Sequence, residues 1–160
     1  MNKAVFLDRD GVLNREIGDY VCSVSDFVIN EGVEEVLRSF REKGYLLIVI
    51  TNQGGINKKM YTHDDLQQIH THLAETMKQS GVTFESMYYC PHHPSVTKCL
   101  CRKPGSLMLE KAMARFNIDP SVSYFIGDTD RDMEAGSAAG VTPIRVIPNA
   151  NLHDIQHLVQ

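Results

Sequence analysis

The chain contains no apolar run approaching the ~18 residues that a membrane-spanning helix requires. Met1-Asn2-Lys3 passes straight into residues of strand character, so no leader and a cytoplasmic location are expected. An excess of positive charge is also absent. With a net charge of −4, the summed field would not draw nucleic acid or an anionic membrane surface. An anionic small-molecule substrate would therefore need local cations or a metal ion. Internal repeats, low-complexity tracts and linkers rich in Gly, Ser or Pro are all missing. A length of 160 residues with 42% hydrophobic content suits one core, so residues 1–160 are expected to form one domain.

Cysteine is sparse and unevenly placed. Of the four, Cys22 stands alone, while Cys90, Cys99 and Cys101 fall within twelve residues beside His92 and His93. Without an export signal, that crowding favours a bound metal over disulfides. Three thiols and an imidazole match a tetrahedral zinc site, and zinc with every position filled by protein is structural. The residue chemistry alone does not choose between His92 and His93.

The most telling segment present is the start. The apolar run Ala4-Val5-Phe6-Leu7 ends in Asp8-Arg9-Asp10-Gly11. A buried parallel strand would deliver Asp8 at its carboxyl end, where open α/β sheets place ligands, and Gly11 lets the chain turn so that Asp10 faces the same spot. Two such carboxylates can hold a divalent cation, or one can act as nucleophile while the other moves protons.

Further on, Val33, Val36, Leu37 and Phe40 mark a helix ending near Gly44, and Tyr45–Ile50 reads as a central strand. Thr62 and Asp65 form a capping pattern for a helix whose buried stripe is Leu66, Ile69, Leu73 and Met77. A third strand is expected over Phe84–Tyr89. Pro104 suits the neighbourhood of a helix start, and Leu109, Met113 and Phe116 continue that helix. A fourth strand over Val122–Ile126, a short helix to Gly140 and a fifth strand around Ile144–Ile147 complete the chain. The alternation predicts an α/β fold with a doubly wound parallel sheet and helices on both faces.

Polar groups recur at strand ends: Asp8 and Asp10, Thr51 and Asn52, and Asp128, with Lys103 able to reach the same edge. Together they supply carboxylates, a hydroxyl and a cation, the parts that phosphoryl transfer requires.

The set Asp8-Arg9-Asp10-Gly11, Thr51-Asn52-Gln53, Arg102-Lys103-Pro104 and Gly127-Asp128 followed by Asp132 resembles the haloacid dehalogenase superfamily of phosphatases, over nearly the whole chain. The resemblance implies Asp8 as the nucleophile that forms an aspartyl-phosphate and Asp10 as general acid and then base. It implies Mg²⁺ held by Asp8, the Asp10 carbonyl and Asp128, with Thr51 and Lys103 on the phosphoryl group. Asp132 would orient either the lysine or a metal-bound water. The loop from Tyr89 to Pro104 narrows the resemblance to a subgroup of heptose bisphosphate and histidinol phosphatases, and implies Zn²⁺ on Cys90, His92, Cys99 and Cys101.

Intervals between motifs leave no room for a cap domain. Asn52, Gln53, Arg102 and Tyr20 are the expected substrate contacts. Arg102 offers a cation with fork geometry for a second negative end, which favours removal of the C7 phosphate of a heptose 1,7-bisphosphate. Histidinol phosphate is the alternative, with Glu16 and Asp19 facing its cationic end. A third reading is a zinc-stapled binding module without activity. Val12, Gly54 and Gly105-Ser106 depart from the heptose enzymes' pattern, and the Arg15–Tyr20 segment is a residue longer.

Overall fold

Strand β1 (Ala4–Leu7) is buried at every position, as a strand covered on both faces must be. In this computed structural model, which describes residues 1–160, β1 sits at the centre of a parallel sheet of order β3-β2-β1-β4-β5. The other strands are β2 (Leu46–Asn52), β3 (Ser86–Cys90), β4 (Tyr124–Gly127) and β5 (Thr142–Arg145). Helices α1 (Val33–Glu42), α2 (His63–Gln79), α3 (Leu107–Phe116) and α4 (Asp130–Ala139) alternate with them.

Alternate residues of each strand serve opposite faces. Val5, Leu7, Leu47 and Val49 pack with Val36, Leu37, Phe40, Ile69 and Leu73 of α1 and α2. Ala4, Phe6, Ile48 and Ile50 pack instead with Met108, Leu109 and Ala112 of α3 and with Ala135 of α4. The sheet is thus wound outward from β1 in both directions. The carboxyl ends of β1 and β4, adjacent in the sheet, form the switch point where open α/β sheets bind ligands.

The capping pattern at Thr62 is present: its hydroxyl accepts from the Asp65 N–H, and the Asp65 carboxylate accepts from the Thr62 N–H. Boundaries differ from expectation at several places. β3 begins at Ser86 rather than Phe84, and β4 begins at Tyr124 rather than Val122, which ends a short 3-10 turn. β2 extends through Thr51 and Asn52, which carries both side chains to the sheet edge. β5 starts two residues earlier than Ile144, because Thr142–Arg145 is what pairs with Tyr124–Gly127; Pro143 is tolerated on an edge strand. Pro104 precedes α3 by a turn and follows a cis peptide bond. The sequence pattern gave no sign of the C-terminal 3-10 segment Leu152–Leu158, which packs on α1. No separate folded unit is inserted over the sheet edge, and no helix is long and apolar enough to cross a membrane.

Candidate active site

A cleft of about 500 Å³ lies at the carboxyl edge of the sheet and is lined by Asp8, Asp10, Thr51, Lys103 and Asp128 together with Arg102. β1 delivers Asp8, β2 delivers Thr51, and Asp128 follows β4. Gly11, at φ +85°, closes the turn after Asp10; a Cβ there would stand 2.2 Å from Asp128 Oδ2, so only glycine lets the two segments approach.

Lys103 is buried at the centre. Its ammonium meets Asp8 Oδ1 at 2.8 Å, Asp132 Oδ1 at 2.6 Å and the Ile50 carbonyl at 2.9 Å, so each of its three protons has an acceptor. Burial opposes its charge, but the two carboxylates outweigh that and raise its pKa above the usual lysine value. Asp132 Oδ1 thus sits against the lysine, and its carboxylate also belongs to the acidic group formed with Asp8 and Asp128. Asp132 also closes the capping box of α4, its Oδ2 accepting from the Thr129 N–H at 3.0 Å.

Asp8, Asp128 and Asp132 bring carboxylate oxygens within 4.8 Å of one another, with one lysine to balance them. Burial first, then Asp132 and Asp128, push Asp8 up to about 8 against the pull of Lys103. Burial and Asp132 raise Asp128 as well, and its Oδ1 is buried without a hydrogen-bond partner. No main-chain N–H donates to the Asp10 carbonyl nearby. A hard divalent cation fits this donor set, because it would occupy the orphaned oxygen and offset the surplus negative charge.

That surplus has a measurable consequence. A carboxyl whose pKa is raised by folding contributes stability that is present at low pH and lost as pH climbs toward the folded value, here about 8. His70, driven down to about 3 by burial and Arg9, gives the opposite trend below its ordinary 6.5. The two oppose each other up to pH 6.5, and above it the falling Asp8 effect is no longer opposed by His70. With magnesium withheld, thermal melts are expected to fall by several degrees between pH 6.5 and 8, and added Mg²⁺ is expected to remove the decline. A flat profile without Mg²⁺ would contradict the charge surplus.

Asp10 lies in a different net. Its Oδ1 accepts from Arg9 Nη2 at 3.0 Å and Asn14 Nδ2 at 2.9 Å, and its Oδ2 accepts from Gln53 Nε2 at 2.9 Å. Burial opposes ionisation, but Arg9 and these donors outweigh it and hold the carboxyl below the usual range. Arg9 is itself fully buried, with Nη1 3.4 Å from His70 Nε2; a neutral His70 ring accepts that proton.

Two residues expected to touch substrate have their amides occupied elsewhere. Asn52 accepts the Lys103 N–H at 3.0 Å and donates to the Lys103 carbonyl at 3.2 Å, so it holds the lysine's backbone. Gln53 donates to Asp10 and to Thr51 Oγ1, and its own oxygen accepts from the Tyr61 hydroxyl. Both line the cleft as positioning groups. Tyr20 lines it too, its ring 6.1 Å from that of Tyr61. Arg102 reaches the rim, donating through Nη1 to the His92 carbonyl at 3.0 Å. Gly54 leaves it room, since a Cβ there would stand 3.1 Å from that nitrogen. Sequence reasoning missed the roles of Arg9, Asn14 and Tyr61. The only trace of one is the four-residue spacing of Asp10 and Asn14.

Cys90, His92, Cys99 and Cys101 converge on one point, with His92 Nδ1 3.3 Å from Cys101 Sγ and 3.5 Å from Cys90 Sγ. His93 instead pairs with Ser95 Oγ at 2.7 Å, so the imidazole lying among the three thiols is that of His92. The donor set and spacing are compatible with tetrahedral zinc. Cys22 is half-buried and directs its thiol to the Tyr20 carbonyl, outside both clusters.

Comparison with known proteins fits this geometry. A HAD-hydrolase-like family model matches residues 100–150. The D-glycero-beta-D-manno-heptose-1,7-bisphosphate 7-phosphatase of Haemophilus ducreyi is 42% identical over 145 residues, 87% of this chain and 79% of that protein. The chain belongs to the heptose bisphosphate phosphatase family. Another member of the family, from Helicobacter pylori, is 40% identical over 141 residues, 88% of this chain and 80% of its own length. The crystal structure of D,D-heptose 1,7-bisphosphate phosphatase from B. bronchiseptica, complexed with magnesium and phosphate, superimposes with a TM-score of 0.84 at 28% identity, covering 88% of this chain and 78% of the other. As a member of this family, the protein is a phosphatase of the HAD-like hydrolase fold.

Proposed function

We propose that this phosphatase removes the C7 phosphate of D-glycero-β-D-manno-heptose 1,7-bisphosphate through an aspartyl-phosphate on Asp8. The chemistry rests on the convergence of Lys103 with Asp8 at 2.8 Å beside the unpartnered Asp128 oxygen. The substrate rests on the relatives' names.

Asp8 Oδ1 is held by Lys103 and by the Arg9 N–H at 2.7 Å, which leaves Oδ2 to attack phosphorus. Thr51 Oγ1 accepts from Gln53, so its hydroxyl proton is available to a phosphoryl oxygen. Lys103 balances charge building on the transferring group. Asp10 gives a proton to the departing C7 alkoxide. It then takes one from the water that attacks the aspartyl-phosphate, releasing inorganic phosphate and restoring Asp8. The substrate's dianion, arriving beside Asp10, raises its proton affinity against the hold of Arg9, Asn14 and Gln53. Asp8, Asp128 and the Asp10 carbonyl would hold Mg²⁺, which when bound supplies Lewis-acid neutralisation of the phosphate oxygens. Zn²⁺ on Cys90, His92, Cys99 and Cys101 would be structural.

Glu16 and Asp19 line the cleft, as the histidinol reading needs, but each braces its own loop. Glu16 Oε1 accepts the Gly18 N–H at 2.8 Å, and Asp19 Oδ1 accepts the Tyr20 N–H at 2.7 Å. The C1 phosphate instead finds Arg102 at the rim. Arg102→Ala is expected to lower kcat/KM for the bisphosphate about 10- to 100-fold, the worth of a charge-assisted contact, while sparing a small aryl phosphate. Equal losses on both would place Arg102 at the reacting phosphoryl group. The deciding experiment compares kcat/KM for the two heptose bisphosphate anomers and histidinol phosphate. The β anomer should lead, and a lead for histidinol phosphate would overturn the assignment.

A further inference from the structure

One part of the cleft lining is the loop 15–20, which contributes Glu16, Gly18, Asp19 and Tyr20. It has no regular secondary structure, and Gly18 takes a left-handed φ of +76°. Its far end is fixed by packing of the Tyr20 ring: a Cβ on Gly55 would stand 3.0 Å from that ring. Its near end is held at Arg15, whose N–H donates to the Val28 carbonyl at 2.8 Å and whose carbonyl accepts from Asn14 Nδ2 at 3.2 Å. At Glu16 it is held by one residue from the other end of the chain.

Asn149, in the loop after β5, makes three hydrogen bonds there. Its side-chain Oδ1 accepts the Glu16 N–H at 2.6 Å, and its Nδ2 donates to the Glu16 carbonyl at 3.0 Å. Its main-chain N–H donates to the Gly11 carbonyl at 2.8 Å. The amide thus pairs with both main-chain groups of Glu16 as a neighbouring strand would. The same residue's backbone ties that contact to the turn carrying Asp8 and Asp10. Asn149 holds a φ of +64°, a left-handed conformation that asparagine tolerates better than most side chains.

We propose that Asn149 is a positioning residue for substrate selection, registering the 15–20 loop against the catalytic turn so that the loop meets the sugar at a fixed distance from Asp8. This rests on the sugar-phosphate reading above. Asn149 does not itself line the cleft, so its effect should fall on binding of the sugar and spare the chemical step.

Asn149→Gly is the clean test, because glycine keeps the positive φ and the N–H to Gly11 while removing only the amide side chain. Amide hydrogen exchange at Glu16 is expected to accelerate about tenfold or more. KM for the preferred sugar phosphate should rise about tenfold, with kcat little changed, while kinetics on p-nitrophenyl phosphate stay at wild-type values. Asn149→Asp keeps the oxygen that accepts from Glu16, and should recover part of both the protection and the KM. Unchanged exchange at Glu16 in the glycine variant would overturn the proposal. So would faster exchange with no change in KM, or parallel losses on the sugar phosphate and the aryl phosphate. Failure of the heptose bisphosphate assignment shows separately, in the wild-type substrate comparison, and leaves the exchange measurement to decide the role of Asn149.

Discussion

Asp8→Asn is expected to lower kcat by about 10⁴-fold or more at saturating Mg²⁺, with no loss of folded protein. An amide of the same size cannot supply the attacking electron pair and is a poorer partner for a hard cation. The fold should survive because the asparagine oxygen can still accept from the Arg9 N–H, and Lys103 retains Asp132 and the Ile50 carbonyl. Removing one of three crowded carboxylates also relieves the repulsion that, with burial, pushes Asp8 up to about 8. Melting temperature without magnesium should therefore hold steady or rise while turnover disappears. Steady-state kinetics and a thermal melt on the same preparation check both halves. Wild-type kcat in this variant would eliminate the covalent route.

The second large effect is expected from Cys99→Ala. Purified wild-type protein should carry about one zinc per chain by elemental analysis, and the variant should lose it. The cluster is a set of side chains separate from the reacting carboxylates, but Cys101 is two residues from Lys103 along the chain. The lysine's backbone position depends on that loop and on the paired contacts from Asn52. A displacement of about 1 Å in a group that must meet a transferring phosphoryl costs roughly 10²-fold in rate, so kcat should fall by about that factor. Cys22→Ala, which removes a thiol outside the cluster, should keep both zinc and activity. A metal-free wild-type protein with full activity would remove the zinc staple from the account.

The parts of this molecule that follow local rules were legible in the sequence. The alternation of strand and helix, the Thr62 cap and the arrival of Asp8, Thr51 and Asp128 at one edge all follow from periodicity and from where parallel strands end. The crowding of three cysteines with histidine announced their convergence into a donor set compatible with zinc. What periodicity does not carry is the direction of a side chain once it reaches the edge. Asn52 and Gln53 have the right chemistry for substrate, but their amides are occupied by Lys103, Asp10 and Thr51, contacts fixed by how loops stack across the sheet. Arg9 shows the same limit. It is fully buried beside His70, 61 residues away on α2, and nothing local distinguishes it from a solvated cation. β5 was misplaced by two residues because Pro143 and the exposed Thr142 dilute the apolar signal of a short edge strand.

Asp132 carries two duties in one carboxylate, Oδ2 closing the start of α4 and Oδ1 pairing with Lys103. Each duty alone would leave the position considerable freedom. A hydroxyl or amide can terminate a helix, and an acidic side chain of another length can neutralise a lysine. The intersection is far narrower, since one carboxylate must reach back to Thr129 with one oxygen and face the ammonium with the other, in a fully buried position. Asparagine can close the cap but is not anionic, and glutamate can close the cap but brings an extra methylene into that buried space. The position should consequently tolerate less change than its distance from the reacting phosphorus would suggest, and a substitution there should disturb helix register and lysine charge together.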